Sequence, residues 1–505
     1  MKREPFIIMG LLVLMLTAIS CKQQEQLPNI IYILADDMGY GDVSALNPEG
    51  KIKTPHLDRL VAEGMAFTDA HTTSAVCTPT RYGILTGRYN WRSSLKRGVL
   101  GGYSPALIDT TRETVASMLQ KAGYHTAFIG KWHLGWDWSK DENNEVDFSK
   151  PVDRSPNDFG FDYAYGHCGS LDMAPYVYVE DGMPTAIPDT VTGSEILYGW
   201  WREGLTSPDF IHEDVTPNFF RRAIKLVQEK AGNKQPFFLY LPLPSPHTPI
   251  LPTEEWREKS GINPYGDFVM MIDDYIGKLL ECIKTAGIED NTIVIFTADN
   301  GCSPAAKFEV MLEKGHNPSY QFRGHKADIY EGGHRVPFIV KWPCRIKPGS
   351  RSDKTICTTD LMATCAGITG FYLPDHSAED SYSMLALFDD PVSDDYSRDY
   401  TIHHSISGRF AIRHGDWKLC LCQGSAGWSY PTDKELESMK DYPPMQLFNL
   451  KEDMGEQNNL YEVYPEKVEE LKAALKKIIY DGRSTPGEKQ TNENMDNWPQ
   501  LEEIF

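Results

Sequence analysis

The stretch Asn29-Ile30-Ile31-Tyr32-Ile33-Leu34-Ala35-Asp36-Asp37 decides the fold. An apolar run of strand length, with no alternation between faces, predicts a strand buried on both sides, as in a parallel sheet flanked by helices. The run breaks at Asp36-Asp37 and continues Met38-Gly39-Tyr40-Gly41-Asp42. Acids at the end of such a strand sit at the carboxyl edge of the sheet, where open α/β sheets place their ligands. Side by side they repel each other unless a cation or hydrogen bonds compensate. The construction recurs at Thr292-Ile293-Val294-Ile295-Phe296-Thr297-Ala298-Asp299-Asn300-Gly301. Asp36, Asp37, Asp299 and Asn300 form an all-oxygen set suited to a hard cation. Calcium is preferred and magnesium is the alternative, because the set is irregular and one ligand is an amide.

Outward from these strands, the chain alternates. Thr54 to Gly64 reads as a helix with a Thr cap, an early Pro and a closing Gly. Met65 to Ala70 reads as a strand, Thr114 to Ala122 as an amphipathic helix, and Gly123 onward as a strand. Phe219 to Lys230 is a helix, Pro236 to Leu241 a buried strand, and Tyr265 to Ala286 a helix. Beyond about residue 395 the pattern changes to short alternating strands (Thr401 to His404, Phe410 to Arg413, Trp417 to Cys422, Gln446 to Leu450) and one amphipathic helix, Pro465 to Tyr480. The fold class is α/β: a large mixed, mostly parallel sheet flanked by helices, with a smaller C-terminal antiparallel sheet plus helix. The expected division is 1–20 signal peptide, 21–27 linker, 28–395 catalytic domain and 396–505 C-terminal α+β subdomain.

The chemistry centres on Ala75-Val76-Cys77-Thr78-Pro79-Thr80-Arg81-Tyr82-Gly83-Ile84-Leu85-Thr86-Gly87, a shaped turn entering a helix. Pro79 suits a first helical position. An anion near the free N–H groups of that turn would also meet Arg81, which can fork two hydrogen bonds onto its oxygens. Lys131 and His133 follow the strand Gly123 to Gly130, offering a cation for an anion and an imidazole that moves protons. His247 sits at a strand end between Pro246 and, after Thr248, Pro249. Arg323-Gly324-His325-Lys326 leads to Glu331-Gly332-Gly333, a turn that needs glycine for its backbone, and then to His334 and Arg335.

The run Cys-x-Pro-x-Arg continued to Thr86-Gly87 resembles the first signature of the type I sulfatases, in the alkaline phosphatase superfamily. Gly123 to His133 is similar to their second signature. The resemblance extends from Pro28 to about Tyr480. It implies an alkaline phosphatase-like sheet, an arylsulfatase-like activity, and oxidation of Cys77 to formylglycine by a maturase. By resemblance, one hydroxyl of the aldehyde hydrate attacks sulfur, and the other later expels sulfate as the aldehyde re-forms. Arg81, Lys131, Lys326 and the cation then neutralise the sulfate oxygens. Asp299 or Asp37 accepts the first proton, His247 protonates the leaving oxygen and His133 assists elimination. Ser170 and Asp172, in Gly166-His167-Cys168-Gly169-Ser170-Leu171-Asp172, fall where sulfatases place a serine and an aspartate. They join His334 and Arg335 as candidate substrate contacts. The rivals are a phosphonate or phosphate diester hydrolase of the same superfamily, and a glycan-binding lipoprotein with a decayed site. The second would lack one of the expected site residues, and none departs from the pattern.

A formal charge of −21 argues against nucleic acid as a partner. Lys2 and Arg3 precede the apolar run Phe6 to Leu16, which ends in Thr17-Ala18-Ile19-Ser20-Cys21. This reads as a bacterial lipoprotein export signal with Cys21 as the lipidated N-terminus. The expectation is a membrane-anchored envelope protein, periplasmic or on the outer membrane. The other eight cysteines show no Cys-x-x-Cys pair, and their connectivity cannot be read from sequence. Residues 136 to 201 lose periodicity and crowd with aromatics, a composition suited to lining a sugar site or to ordinary loop packing. Export and this insertion together make a sulfated saccharide the expected substrate.

Overall fold

The computed structural model describes residues 26–502 apart from 440 and 497. The expected signal segment and Cys21 lie outside the described residues. Among the described residues, no helix is long and apolar enough to cross a membrane.

Ten strands build the main sheet. They are β1 (Asn29–Ala35), β2 (Met65–Phe67), β3 (His125–Lys131), β4 (Tyr163–His167), β5 (Val179–Glu180), β6 (Met183–Pro184), β7 (Phe237–Pro242), β8 (Thr292–Ala298), β9 (Phe338–Lys341) and β10 (Ser350–Ser352). Their spatial order is β10-β2-β9-β8-β1-β7-β3-β4-β5-β6. β1 is central, parallel to β7 in the register Ile30 to Phe238 and to β8 in the register Asn29 to Thr292. The run β7-β3-β4 continues parallel, whereas β9, β5 and β6 enter antiparallel, so the sheet is mixed and mostly parallel.

The unbroken apolar character of β1 has a direct structural meaning. Ile31, Ile33 and Ala35 join a core with α1 (Pro55–Glu63), and further along the chain with α4 (Val215–Lys230) and α5 (Pro264–Thr285). Ile30, Tyr32 and Leu34 join a second core on the other face, with α2 (Cys77–Thr86), α3 (Val115–Lys121) and α6 (Leu361–Thr369). Helices on both faces bury both sets of side chains.

Two local expectations are adjusted. Cys77 itself opens α2, with Val76 extended before it, so Pro79 is third in the helix rather than first. A proline is tolerated there because first-turn N–H groups lack an intrahelical acceptor. Gly332 and Gly333 are required by close backbone approach and not by left-handed φ. A β-carbon on Gly332 would fall 2.3 Å from the Gly324 carbonyl oxygen, and one on Gly333 would fall 2.2 Å from that of Asp328.

Most rings of the aromatic insertion are core. Trp136, Tyr165, Tyr176 and Tyr178 are buried, and only Tyr198, Trp200 and Trp201 among its later rings are part-exposed. Strands Thr190–Ser194 and Trp201–Thr206 form a separate ribbon there. With Ile250, Leu251 and His212 the ribbon lines a cleft of about 950 Å³.

Beyond residue 400, β11 (Thr401–His404), β12 (Phe410–His414), β13 (Trp417–Cys420) and β14 (Gln446–Asn449) form an antiparallel sheet in chain order. Helix α7 (Pro465–Asp481) lays Val468, Leu471, Leu475 and Ile479 on it. Tyr89 and Trp91, just after α2, complete this core, so the C-terminal sheet is joined to the catalytic part by shared packing. Leu475→Ala removes a fully buried side chain and is expected to cost ~2–5 kcal/mol. Chemical denaturation monitored by circular dichroism checks this.

Candidate active site

The carboxyl ends of β1 and β8 place Asp36, Asp37, Asp299 and Asn300 side by side, all buried. The backbone N–H of Asp37 donates to Asp299 Oδ1 at 3.2 Å, and Asn300 Nδ2 donates to Asp37 Oδ1 at 2.8 Å. Three cations from three other elements meet these acids. Arg81, on the second turn of α2, donates from Nε and Nη2 to Asp299 Oδ2 at 3.0 and 2.8 Å. Its Nη1 holds the Lys131 carbonyl at 2.8 Å, tying α2 to the end of β3. Lys131 Nζ pairs with Asp36 Oδ2, and Lys326 Nζ donates to Asp37 Oδ2 at 2.8 Å.

Cys77 lies in the same cluster. Its sulfur and carboxylate oxygens of Asp36 and Asp299 all fall within 4.8 Å of one another. Asp36, Asp37 and His247 form a second such group, with His247 Nε2 3.6 Å from Asp37 Oδ2. His247 Nδ1 donates to the Thr248 carbonyl at 2.6 Å. His133 Nε2 donates to the Leu100 carbonyl at 2.8 Å, leaving Nδ1 buried and unpartnered.

The electrostatics follow from burial and pairing. Burial opposes ionisation of Asp36, yet Lys131, His247 and Arg81 together hold it well below the usual carboxylate range. Burial and the nearby Asp36 push Asp299 upward. Burial, with Lys131 and Arg81 beside it, pushes His133 well down, so that imidazole is neutral. Burial also disfavours charge on Lys326, but Asp37 outweighs it and the ammonium persists.

Two of these oxygens, Asp36 Oδ1 and Asn300 Oδ1, are buried without a hydrogen-bond partner. Orphaned acceptors at a site of three acids and an amide fit a hard cation, which needs oxygen lone pairs free of protons.

A profile described as Sulfatase matches residues 28–371. The chain belongs to the sulfatase family. It is therefore a sulfuric ester hydrolase. A second profile, described as N-sulphoglucosamine sulphohydrolase, C-terminal, matches residues 324–485 of this sulfatase. The N-acetylgalactosamine-6-O-sulfatase of Bacteroides thetaiotaomicron is 34% identical over 492 residues, covering 90% of this chain and 94% of the relative. Human arylsulfatase A is 31% identical over 465 residues, covering 89% and 87%. A solved structure from work on glycosaminoglycan metabolism by B. thetaiotaomicron superposes with a TM-score of 0.77 at 32% identity. It covers 90% of this chain and 99% of that one.

The remaining candidates divide. Ser170 Oγ and Asp172 Oδ1 are buried and unpartnered on the turn after β4, while Asp172 Oδ2 pairs with Arg202. His334 and Arg335 are not brought to the Cys77 cluster, which corrects their expected role as substrate contacts. His334 bonds His71 and Lys418, and Arg335 bonds Glu331 and the Thr68 carbonyl. After the short helix Glu331–His334, His334 reaches Lys418 of the C-terminal sheet, whereas Arg335 turns to Asp69 and Thr68. Three participants escaped the sequence. The Leu100 carbonyl orients His133, and Tyr265 Oη donates to the Asp37 carbonyl at 3.1 Å. His167, paired in register with Lys131, ends β4 with its Nε2 buried and unpartnered. Its position at a strand terminus was the available signal, hidden by the aromatic crowding around it.

All nine cysteines among the described residues are free, and Cys344 alone of these is exposed. Burial pushes the Cys77 thiol up to about 11, against the pull of Lys131 and Lys326. Native alkylation at mildly basic pH is expected to label Cys344 and spare any unoxidised Cys77 until the protein is unfolded. Peptide mass mapping of labelled samples checks this.

Proposed function

We propose that this sulfatase hydrolyses sulfate monoesters of a carbohydrate, using formylglycine derived from Cys77 and a calcium ion held by Asp36, Asp37, Asp299 and Asn300. The observation that carries the reading is the meeting of Cys77 with two acidic strand ends and three separate cations in one buried cluster. A thiol alone suits this chemistry poorly: its pKa is raised, and the S-sulfonate it would form has no internal route to break down. The aldehyde hydrate supplies one hydroxyl to attack sulfur and a second to release sulfate. The cation, when bound, acts as a Lewis acid on a sulfate oxygen and favours the ionised nucleophile.

The chain's own groups take the remaining tasks. Lys131 and Lys326, released from Asp36 and Asp37 if a bound cation neutralised those carboxylates, would meet sulfate oxygens, and Arg81 holds the acids and the Cys77 helix together. His247, at the rim, is placed to protonate the departing sugar oxygen. His133 has its Nε2 proton committed to Leu100, so neutral Nδ1 is the acceptor for the proton released during elimination.

The B. thetaiotaomicron relative makes 6-O-sulfated N-acetylgalactosamine the first substrate to test. Ser170 and Asp172 supply unpartnered oxygens suited to sugar hydroxyls. The N-terminal pattern ending at Cys21 supports export and lipid anchoring in a bacterial envelope, and the Cys77 signature supports maturation by a separate formylglycine-forming enzyme.

Cys77→Ala is expected to retain the native circular dichroism spectrum and release no sulfate; turnover by this variant would overturn the mechanism. Mass spectrometry of active protein should show the aldehyde at position 77, and paired aryl sulfates and phosphates should favour sulfate. Chelation is expected to abolish activity and lower the melting temperature, with calcium restoring both better than magnesium. Saturation at ~100 times the dissociation constant would return ~2.7 kcal/mol of stability, a readout independent of turnover.

A further inference from the structure

Behind the Cys77 turn, the C-terminal sheet and the catalytic part share a second buried group of charges. Asp69 and His71 precede the turn, Glu331, His334 and Arg335 follow Lys326, and His403, Arg413, Lys418 and Glu456 lie beyond residue 400. Three acids, Asp69, Glu331 and Glu456, face three cations, Lys418, Arg335 and Arg413, so the group is neutral with no imidazole protonated.

The hydrogen bonds determine the tautomers. Lys418 has only protons to give, and its Nζ lies 3.0 Å from His334 Nε2. His334 therefore carries its proton on Nδ1, 3.0 Å from His71 Nδ1. His71 in turn carries its own on Nε2, 2.9 Å from Asp69 Oδ1, and Arg413 Nη1, 3.1 Å from that nitrogen, donates to the same carboxylate oxygen at 2.8 Å rather than to the ring. Burial pushes both imidazoles down, in keeping with neutral rings.

His71, His334 and His403 have ring nitrogens within 4.8 Å of one another, a grouping that suggests a metal. The surroundings argue otherwise. His334 and His403 stack face to face, 3.9 Å between centroids and 8° between planes, so their in-plane lone pairs do not converge on one ion. The acceptor of His334 is already taken by Lys418.

What the group holds is main chain. His403 Nδ1 donates to the Thr72 carbonyl at 2.9 Å, the His404 N–H to that of Thr73 at 3.2 Å, and the Ala75 N–H to that of His404 at 3.0 Å. β11 thus runs along the segment that ends in Cys77. The Ala327 N–H donates to the Ala75 carbonyl at 2.8 Å, and the Ile406 N–H to the Ala327 carbonyl at 3.0 Å. The neighbour of Lys326 is clamped between the Cys77 turn and the C-terminal unit. Glu331 closes the frame: its N–H donates to Glu456 Oε2 at 2.7 Å, and Lys418 Nζ bridges Glu331 Oε1 at 3.0 Å and Glu456 Oε1 at 2.8 Å.

We propose that Lys418 and His403 are positioning residues, which from the C-terminal sheet hold the Cys77 turn and the Lys326 loop at reaction distance from each other. The proposal rests on Cys77 being the reacting position. A displacement of about 1 Å between reacting groups costs on the order of 100-fold in rate.

Lys418→Met keeps side-chain length and removes the charge. Glu331 and Glu456 then lack their shared cation, and a proton takes its place on Glu456, which burial and the adjacent Glu331 already push up, or on His334, whose Nε2 is 3.7 Å from Glu331 Oε1. His71 Nδ1 already accepts from His334, Arg335 and Arg413 already pair with Asp69 and Glu331, and His403 Nε2 is the other unpartnered ring acceptor of the group. The kcat of Lys418→Met, per aldehyde counted by mass spectrometry, is expected to fall ~100-fold with little change in KM. The deficit relative to wild type should shrink from about pH 8 to about pH 5.5, as the group takes up a proton in place of the lost ammonium. Lys418→Arg should recover most of the loss. An unchanged kcat per aldehyde in folded Lys418→Met, with only a lower melting temperature, would overturn the proposal. If that variant does not fold, His403→Leu, which removes the donor to Thr72, is compared with His403→Asn, which retains one. A kcat loss of about tenfold, with KM kept, in the first and its recovery in the second is expected; equal kcat in both would overturn the proposal. Counting aldehyde separates this outcome from failure of the Cys77 reading, which wild type without aldehyde would show.

Discussion

Three carboxylates held without solvent at the ends of two adjacent strands are the constraint on which the rest of this molecule depends. Asp36, Asp37 and Asp299 are each at most 1% exposed. Two such charges about 4 Å apart repel by ~4 kcal/mol even at an effective dielectric of ~20. Neutralising them requires cations, and the cations arrive from α2, the end of β3 and the Lys326 loop. Each element is thereby pinned to the centre of the sheet by an ion pair that would be costly to break. Arg81 carries the largest consequence. Its side chain binds Asp299 while its helix begins at Cys77, so satisfying the acids also sets where Cys77 stands.

The backbone records the same demand. Asp37, His133 and Ala327 adopt left-handed φ values of 65°, 55° and 80° without being glycine. Such conformations cost on the order of 1–3 kcal/mol each and persist only where the surroundings over-determine them. Here the surroundings do. Asp37 is held by Asn300 and Lys326, His133 by Leu100, and Ala327 by Ala75 and Ile406. Each strained residue is, or adjoins, one of the groups that converge on the Cys77 cluster.

What could be read beforehand follows from locality. β1 and β8 declare themselves because both faces are buried, and their acids stand directly after them, so strand and acid are one signal. Cys77 and Arg81 share one helix, and Lys131 and His133 one strand end, so short-range spacing carries them. His334 and Arg335 lie within ten residues of Lys326, yet a short helix directs them into a different buried network. No periodicity in the chain reports that turn. The aromatic insertion left sugar lining and ordinary packing both open, and contacts with Phe210 and Phe219 make several of its rings interior. His167 became visible only through its register with Lys131, a pairing between strands separated by a long loop.

The C-terminal sheet shows why adjacency in sequence is a poor guide to catalytic relevance. The described contacts of the Cys77 cluster include no side chain from beyond residue 400, and on that ground the unit would count as an appendage. Its first strand nevertheless hydrogen-bonds the chain from Thr72 to Ala75, and its loops hold Ala327 and Asp328. The Cys77 turn and the Lys326 loop are more than 240 residues apart, and one hydrogen bond, Ala327 to Ala75, joins them directly beside the site. A single bond contributes only about 1 kcal/mol. Holding two charged loops to a fraction of an ångström therefore depends on the paired strand and buried ion network behind them, which is why this α/β sheet is built against a second one.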